Sequence, residues 1–242
     1  MELQELKEKL NAIEGWLTMP EVGFLYNTAQ HCKGRGVIVE IGSWQGKSTV
    51  CLGAGVDASK KNIEIYAVDP HQNSYVHKDF LGENISTFEK FKENIKAADV
   101  GRFIHPIVKK SEEAVRKWAK PIEFLWIDGD HHYGEVKKDF DLWSPFVIDG
   151  GIIAFHDANH GDVQRFLADY VLSSRAYKNA KLVDSIVAVV KSATPSSLDR
   201  MRSSYIVFMN FSENVLRCIP LPLGIRAWAK KGGKKFLNML TR

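Results

Sequence analysis

Long apolar runs are missing from this 242-residue chain, and none approaches the roughly 18–20 residues that cross a bilayer. A membrane-spanning helix is therefore not expected. Cysteine is scarce. Cys32, Cys51 and Cys218 are an odd number and show no C-x-x-C spacing, which argues against a disulfide framework and a cysteine zinc site. The opening MELQELKEKL is charged and lacks an apolar signal segment. Together these absences predict a reducing, cytoplasmic setting. Internal repeats and low-complexity tracts are absent as well. Acidic residues are missing from one region only: Asn214 to Arg242 holds seven Lys/Arg and no Asp/Glu, leaving 26 basic against 29 acidic residues elsewhere. The net charge of +4 thus belongs to the tail, and the body is slightly acidic. An acidic body without a recognition motif argues against nucleic acid as partner.

What is present reads as one α/β domain. Leu3, Leu6, Leu10 and Ile13 recur at helical spacing, and Pro20 suits the first turn of a second helix ending near His31. VIVEIG (37–42) is then a short, β-branched run closed by glycine, as a buried parallel strand should be. The pattern alternates from there. Strands are predicted at 63–69, 103–108, 122–128 and 151–157, with helices at 46–59, 84–98, 111–119, 132–142 and 161–174. A β-rich stretch follows at 181–190. Such alternation predicts a doubly wound, mostly parallel Rossmann-like sheet. Residues 191–203 read as a linker and SYIVFM (204–209) as a further strand or part of an appendage. The expected division is a domain over 1–192, with a helical lid over about 1–33, and a basic amphipathic extension over 193–242.

Ligands of open α/β sheets sit where the strands end at their carboxyl edge. At that edge lie Glu40-Ile41-Gly42-Ser43-Trp44-Gln45-Gly46-Lys47-Ser48, then Asp69, Asp128 and His156-Asp157. A phosphate-binding P-loop would need four residues between its glycines, whereas Gly42 and Gly46 enclose three and position 41 is Ile. A dinucleotide G-x-G-x-x-G is broken by Ser43-Trp44. A ligand-free glycine turn would explain the glycines but not Asp69. A third reading is E-x-G-x-x-x-G-x-S with a carboxylate, Asp69, closing the next strand.

These residues resemble the first motif of catechol-type O-methyltransferases. IDGDHHYGEVKKDFDLWSPFVIDGGIIAFHD (127–157) is more similar still to a bacterial methyltransferase family that includes macrolide-sugar and cephalosporin-pathway enzymes. The resemblance covers roughly residues 15–190. It implies a class I fold binding S-adenosylmethionine, with Glu40, Gly42, Ser43, Trp44, Gly46 and Ser48 at the methionine pocket. It further implies Asp69 and Asp128 at the cofactor and Ser111 near the adenine. Metal ligands would be Asp128, His156 and Asp157, holding Mg²⁺ or Mn²⁺. His131, three residues after Asp128, falls where the sugar enzymes carry a histidine base. At position 156 this chain has His where an acidic or amide residue is usual, and hard Mg²⁺ prefers oxygen.

The chemistry expected is methyl transfer to a hydroxyl oxygen. The cofactor carries the activated methyl, a cation lowers the hydroxyl's pKa, and His131 accepts the proton near neutral pH. N-directed or metal-independent transfer on the same fold, or a catalytically silent cofactor-binding module, are the alternatives. The expected acceptor is a glycan or a sugar-bearing small molecule, its specificity set by the N-terminal helices, the loop at 71–85 and the segment after 157. Asp130 reads as a helix cap, His132 and His160 as loop residues, and His71 as a residue at the cofactor mouth. In the tail, Ile225, Trp228, Phe236, Met239 and Leu240 fall near one helical face with Arg226 and four lysines mostly on the other. That pattern suits peripheral contact with an anionic inner-membrane surface. Self-association is compatible with the sequence.

Overall fold

The computed structural model describes residues 3–72 and 86–218. In chain order it contains α1 (Leu3–Leu10), α2 (Met19–His31), β1 (Val37–Ile41), α3 (Lys47–Ser59), β2 (Ile65–Val68), α4 (Phe88–Ala97), β3 (Ile104–Ile107), α5 (Ser111–Ala114), β4 (Ile122–Ile127), α6 (Tyr133–Trp143), β5 (Val147–Phe155), α7 (Gly161–Phe166), β6 (Tyr177–Val183), β7 (Ile186–Lys191) and α8 (Ser197–Cys218). The loop at 71–85 and the tail after Cys218 fall largely or wholly outside the described residues.

The strands form one seven-stranded sheet in the order β3-β2-β1-β4-β5-β7-β6. β1 pairs in parallel with β2 and β4, and β4 with β5; β7 runs antiparallel between β5 and β6. This is the doubly wound, mostly parallel Rossmann-like sheet expected from the alternating pattern. Both faces are covered. Ile38, Phe124, Trp126 and Ala154 point into a core shared with Leu6, Leu25, Val50 and Phe91, whereas Val39, Leu125, Ile127 and Phe155 point into a second core with Phe140, Trp143, Phe166 and Ile206. A strand apolar on both faces shows no alternation, which is why VIVEI, Glu40 apart, reads as hydrophobic throughout.

Several elements differ from the sequence expectation. The β-rich stretch is two strands, Tyr177–Val183 and Ile186–Lys191, turning at Asp184-Ser185. The helix expected over 161–174 is α-helical only to Phe166 and widens into a π-turn over Leu167–Val171. SYIVFM is helical, inside α8, and the expected linker overlaps the start of that helix. Its buried positions Arg202, Ser203 and Ile206 are spaced as a helix requires and do not alternate. The missed start signal is S-S-L-D: Asp199 Oδ2 accepts from Ser196 N at 2.8 Å, and Asp199 N donates to Ser196 Oγ at 3.2 Å, a reciprocal cap. The N-terminal region is built into the body, since Leu6, Leu10, Ile13, Val22 and Leu25 lie in the first core.

Candidate active site

Four residues each follow a strand and are tied to the neighbouring strand's end. Gly42 N donates to Val68 O at 2.9 Å, Asp69 N to Ile107 O at 3.2 Å, Asp128 N to Ile41 O at 2.8 Å and His156 N to Ile127 O at 3.0 Å. Gly42, Asp69, Asp128 and His156 therefore share one rim. The rim is centred where strand order reverses, between β1 and β4, the crevice in which such sheets bind ligands. Gly42 has φ +85°, and a Cβ there would lie 2.2 Å from Asp128 O. That approach of two backbones demands glycine before any cofactor is considered. Gly46, at φ +88°, caps α3.

On the cofactor side, Asp69 organises the glycine loop. Its Oδ2 accepts from Ser43 N and Trp44 N, both at 2.9 Å, and its Oδ1 from His71 N at 2.6 Å. A carboxylate offers about four acceptor positions, so roughly one is left for a ribose hydroxyl. Trp44 and His71 adopt left-handed backbone (φ +47° and +55°), a conformation uncommon outside glycine that clusters at binding sites. Buried Ser43 Oγ finds no hydrogen-bond partner among the described residues, which fits a polar ligand such as a methionine carboxylate or amine. Glu40 and Ser48 turn to each other: Glu40 accepts from Ser48 Oγ and Thr49 Oγ1, both at 2.5 Å. Ser111 Oγ accepts from Trp143 Nε1 at 2.8 Å.

Glu40 is fully buried, and burial pushes its carboxyl up to about 8, against the pull of the Ser48 and Thr49 hydroxyls. A carboxyl whose folded value lies above its unfolded value of 4.5 contributes stability below pH 4.5, and that contribution is lost as pH rises to about 8. Each unit of that window corresponds to about 1.4 kcal/mol. The melting temperature of wild type is thus expected to fall between pH 6 and pH 8 more steeply than that of Glu40→Gln. Parallel slopes in calorimetry would show that Glu40 is not protonated in the fold.

The second half of the site is acidic and imidazole-rich. Donor atoms of Asp128, His131 and Asp157 lie within 4.8 Å of one another, all three residues half-buried. His131 Nε2 is 3.5 Å from Asp157 Oδ2 and 3.9 Å from Asp128 Oδ1. The nearby Asp128 and Asp157 carboxylates, against the effect of burial, hold His131 above the usual histidine range. Asp157 reaches inward from a left-handed backbone, φ +46°. The cluster could hold a divalent cation: the two carboxylates offer hard oxygens that suit Mg²⁺ or Mn²⁺, and the His131 nitrogen is a donor that Mn²⁺ accepts more readily than Mg²⁺.

His156 lies outside that three-donor group. Its Nδ1 is 3.0 Å from Asp128 Oδ1 and 3.4 Å from Asp157 Oδ2, and its Nε2 is 3.6 Å from Glu21 Oε2. Burial opposes a charge on His156, but Asp128, Asp157 and Glu21 overcome it and hold the ring far above the histidine range. His156 thus faces the same carboxylates that a metal at this site would use. Glu21 is the residue sequence reasoning missed. It closes the cap of α2, accepting Thr18 N at 2.8 Å, and takes Ser185 N and Oγ at 2.8 and 2.6 Å. Burial works against its ionisation, yet His156, Ser185 and Thr18 lower its carboxyl to about 2. The T-x-x-E capping signature was visible at 18–21; its contact with position 156 was not. Asp130 closes a two-residue turn by accepting from His132 N at 2.9 Å, and is not the cap of α6, which is His132.

Trp16, 57% exposed, lies beside Trp44 with ring centroids 5.9 Å apart. Its segment is pinned to the glycine loop, Gln45 Nε2 donating to Glu14 Oε2 at 2.9 Å and Lys47 Nζ to Gly15 O at 3.2 Å. The N-terminal segment therefore borders the crevice.

Residues 39–158 match the family model described as a methyltransferase domain. The chain is 29% identical over 120 residues to the uncharacterized protein y4gI of Sinorhizobium fredii; the match spans 50% of this chain and 13% of that much longer relative. Among solved structures it is similar to the O-methyltransferase NovP, with a TM-score of 0.62 at 14% identity, covering 72% of this chain and 82% of that one. It is also similar to an O-methyltransferase of Bacillus cereus in complex with SAH, with a TM-score of 0.56 at 16% identity, covering 78% and 90% of the two chains. The matched segment runs from the middle of β1 to just past Asp157 and so contains the whole rim. With the glycine loop, the Asp69 carboxylate at the end of β2 and the sheet order in agreement, the chain belongs to the class I S-adenosylmethionine-dependent methyltransferases.

Proposed function

We propose that the protein methylates a hydroxyl oxygen of a glycan or sugar-bearing small molecule, with a divalent cation at Asp128 and Asp157 and His131 as general base. The observation that carries this reading is the Asp128–His131–Asp157 cluster on the rim that also holds the cofactor loop. Solved neighbours described as O-methyltransferases support the oxygen acceptor. When bound, the cofactor supplies an activated methyl group and the cation a more acidic acceptor hydroxyl. The chain's own residues do the rest. Asp69 and the glycine loop fix the cofactor's nucleoside and methionine ends, leaving transfer mainly a matter of alignment. With their charge offset by a cation, Asp128 and Asp157 would ease their hold on the His131 proton and leave the neutral ring to receive the acceptor proton at Nε2.

His131→Ala is expected to lower turnover by about 10²–10⁴-fold while leaving S-adenosylmethionine and Mn²⁺ binding intact in calorimetry. A wild-type rate at neutral pH would remove His131 as base; loss of Mn²⁺ binding would make it a ligand instead. Acceptors are found by following labelled methyl into a panel of sugars and glycosides. A second reading is favoured by one observation, the buried His156 cation against Asp128 and Asp157: it neutralises those carboxylates without a metal. Full activity after exhaustive chelation would select it.

A further inference from the structure

α8 leaves an apolar stripe in solvent. Leu198, Met201 and Phe208 are 66%, 59% and 63% exposed, with half-buried Tyr205 between them. At 100° per residue these four fall within a third of the helix circumference. The opposite side, through Arg202, Ser203 and Ile206, is buried, so the helix is docked and its outer face is not a packing remnant. Three large exposed apolar side chains on one helix face are more than the scattered exposure of an ordinary surface.

The chain that continues from this helix carries the complementary signal. Residues 219–242 hold six Lys/Arg, no Asp/Glu, and Trp228 and Phe236. No described helix is long and apolar enough to cross a membrane. An outward apolar stripe joined directly to a cationic, aromatic-bearing segment is the chemistry of a surface that lies on an anionic bilayer: apolar side chains enter the headgroup boundary and the lysines meet the lipid charge. A second copy of the chain could match the stripe, but its body carries only a slight excess of acidic residues, 29 against 26 basic, a weak match for so concentrated a positive charge. We propose that the outer face of α8, through Leu198, Met201 and Phe208, is a docking surface for an anionic phospholipid membrane, the basic composition of the sequence that follows supplying the charge complementarity.

The test is cosedimentation of the full chain with vesicles of phosphatidylcholine, with and without phosphatidylglycerol. Binding is expected only with phosphatidylglycerol and should weaken as salt is raised. Leu198→Ser/Met201→Ser/Phe208→Ser and, separately, Lys230→Gln/Lys231→Gln/Lys234→Gln/Lys235→Gln should each reduce partitioning about tenfold or more with unchanged circular dichroism. Phe208→Ser alone serves if the triple variant misfolds, and should reduce partitioning in the same direction. Absence of binding, equal binding by the stripe variants, or light scattering that shows a dimer abolished by Phe208→Ser would overturn the proposal. The last result would assign the stripe to a second copy.

Discussion

Asp128→Asn is expected to lower methyl transfer by about 10³-fold or more, because one carboxylate serves three partners. Its Oδ1 lies 3.0 Å from His156 Nδ1 and 3.9 Å from His131 Nε2, and it belongs to the donor cluster with Asp157. These partners keep Asp128 ionised: burial works against the charge, but His156 and His131 outweigh it and lower the carboxyl below the usual range. Asparagine keeps the shape and removes the charge. The site would then lose a cation ligand, and buried His156 would face one carboxylate fewer. Breaking a buried pair from one side costs about 3–5 kcal/mol, so thermal stability should fall alongside turnover. Labelled-methyl assays with added Mn²⁺, read beside thermal melts, separate the two effects. Turnover within tenfold of wild type would mean that neither a cation nor His131 depends on Asp128.

Asp69→Ala is expected to weaken S-adenosylmethionine binding by about two orders of magnitude and to destabilise the apo protein. The two effects share a cause. The carboxylate accepts three backbone N–H groups, from Ser43, Trp44 and His71. An orphaned buried donor costs about 1–3 kcal/mol, and two of these donors shape the glycine loop itself. Asp69→Asn retains one acceptor oxygen and should fall between alanine and wild type in both readouts. Calorimetric affinity unchanged in Asp69→Ala would detach this carboxylate from the cofactor. A lowered melting temperature with unchanged affinity would confine it to loop structure.

The strands of the parallel sheet were legible because each is a short β-branched run bounded by helical periodicity, and Glu40, Gly42, Asp69, Asp128 and Asp157 follow from reading the residues where those runs end. The edge of the sheet was less legible. SYIVFM has strand-like composition, but Arg202, Ser203 and Ile206 pack at helical spacing, so tertiary burial overrode local preference. Likewise KLVDSIVAVV hides a turn, since Asp184 takes a left-handed backbone that no glycine announces.

The site divides along the same line. Position in the chain placed Asp128, His131, His156 and Asp157 near one strand edge, but not the direction in which each side chain points. Glu21 stands 135 residues before His156, on a helix whose packing brings it across the sheet end, and this contact adds one more carboxylate to those of Asp128 and Asp157 that raise the ring's affinity for a proton. By itself the sequence determined the order of strands and helices from β1 through β5 and the residues at those strands' ends, because hydrophobic period and glycine turns are local properties. Only the tertiary structure decided which charges face one another, because electrostatic partners are set by distance in space and not by separation along the chain.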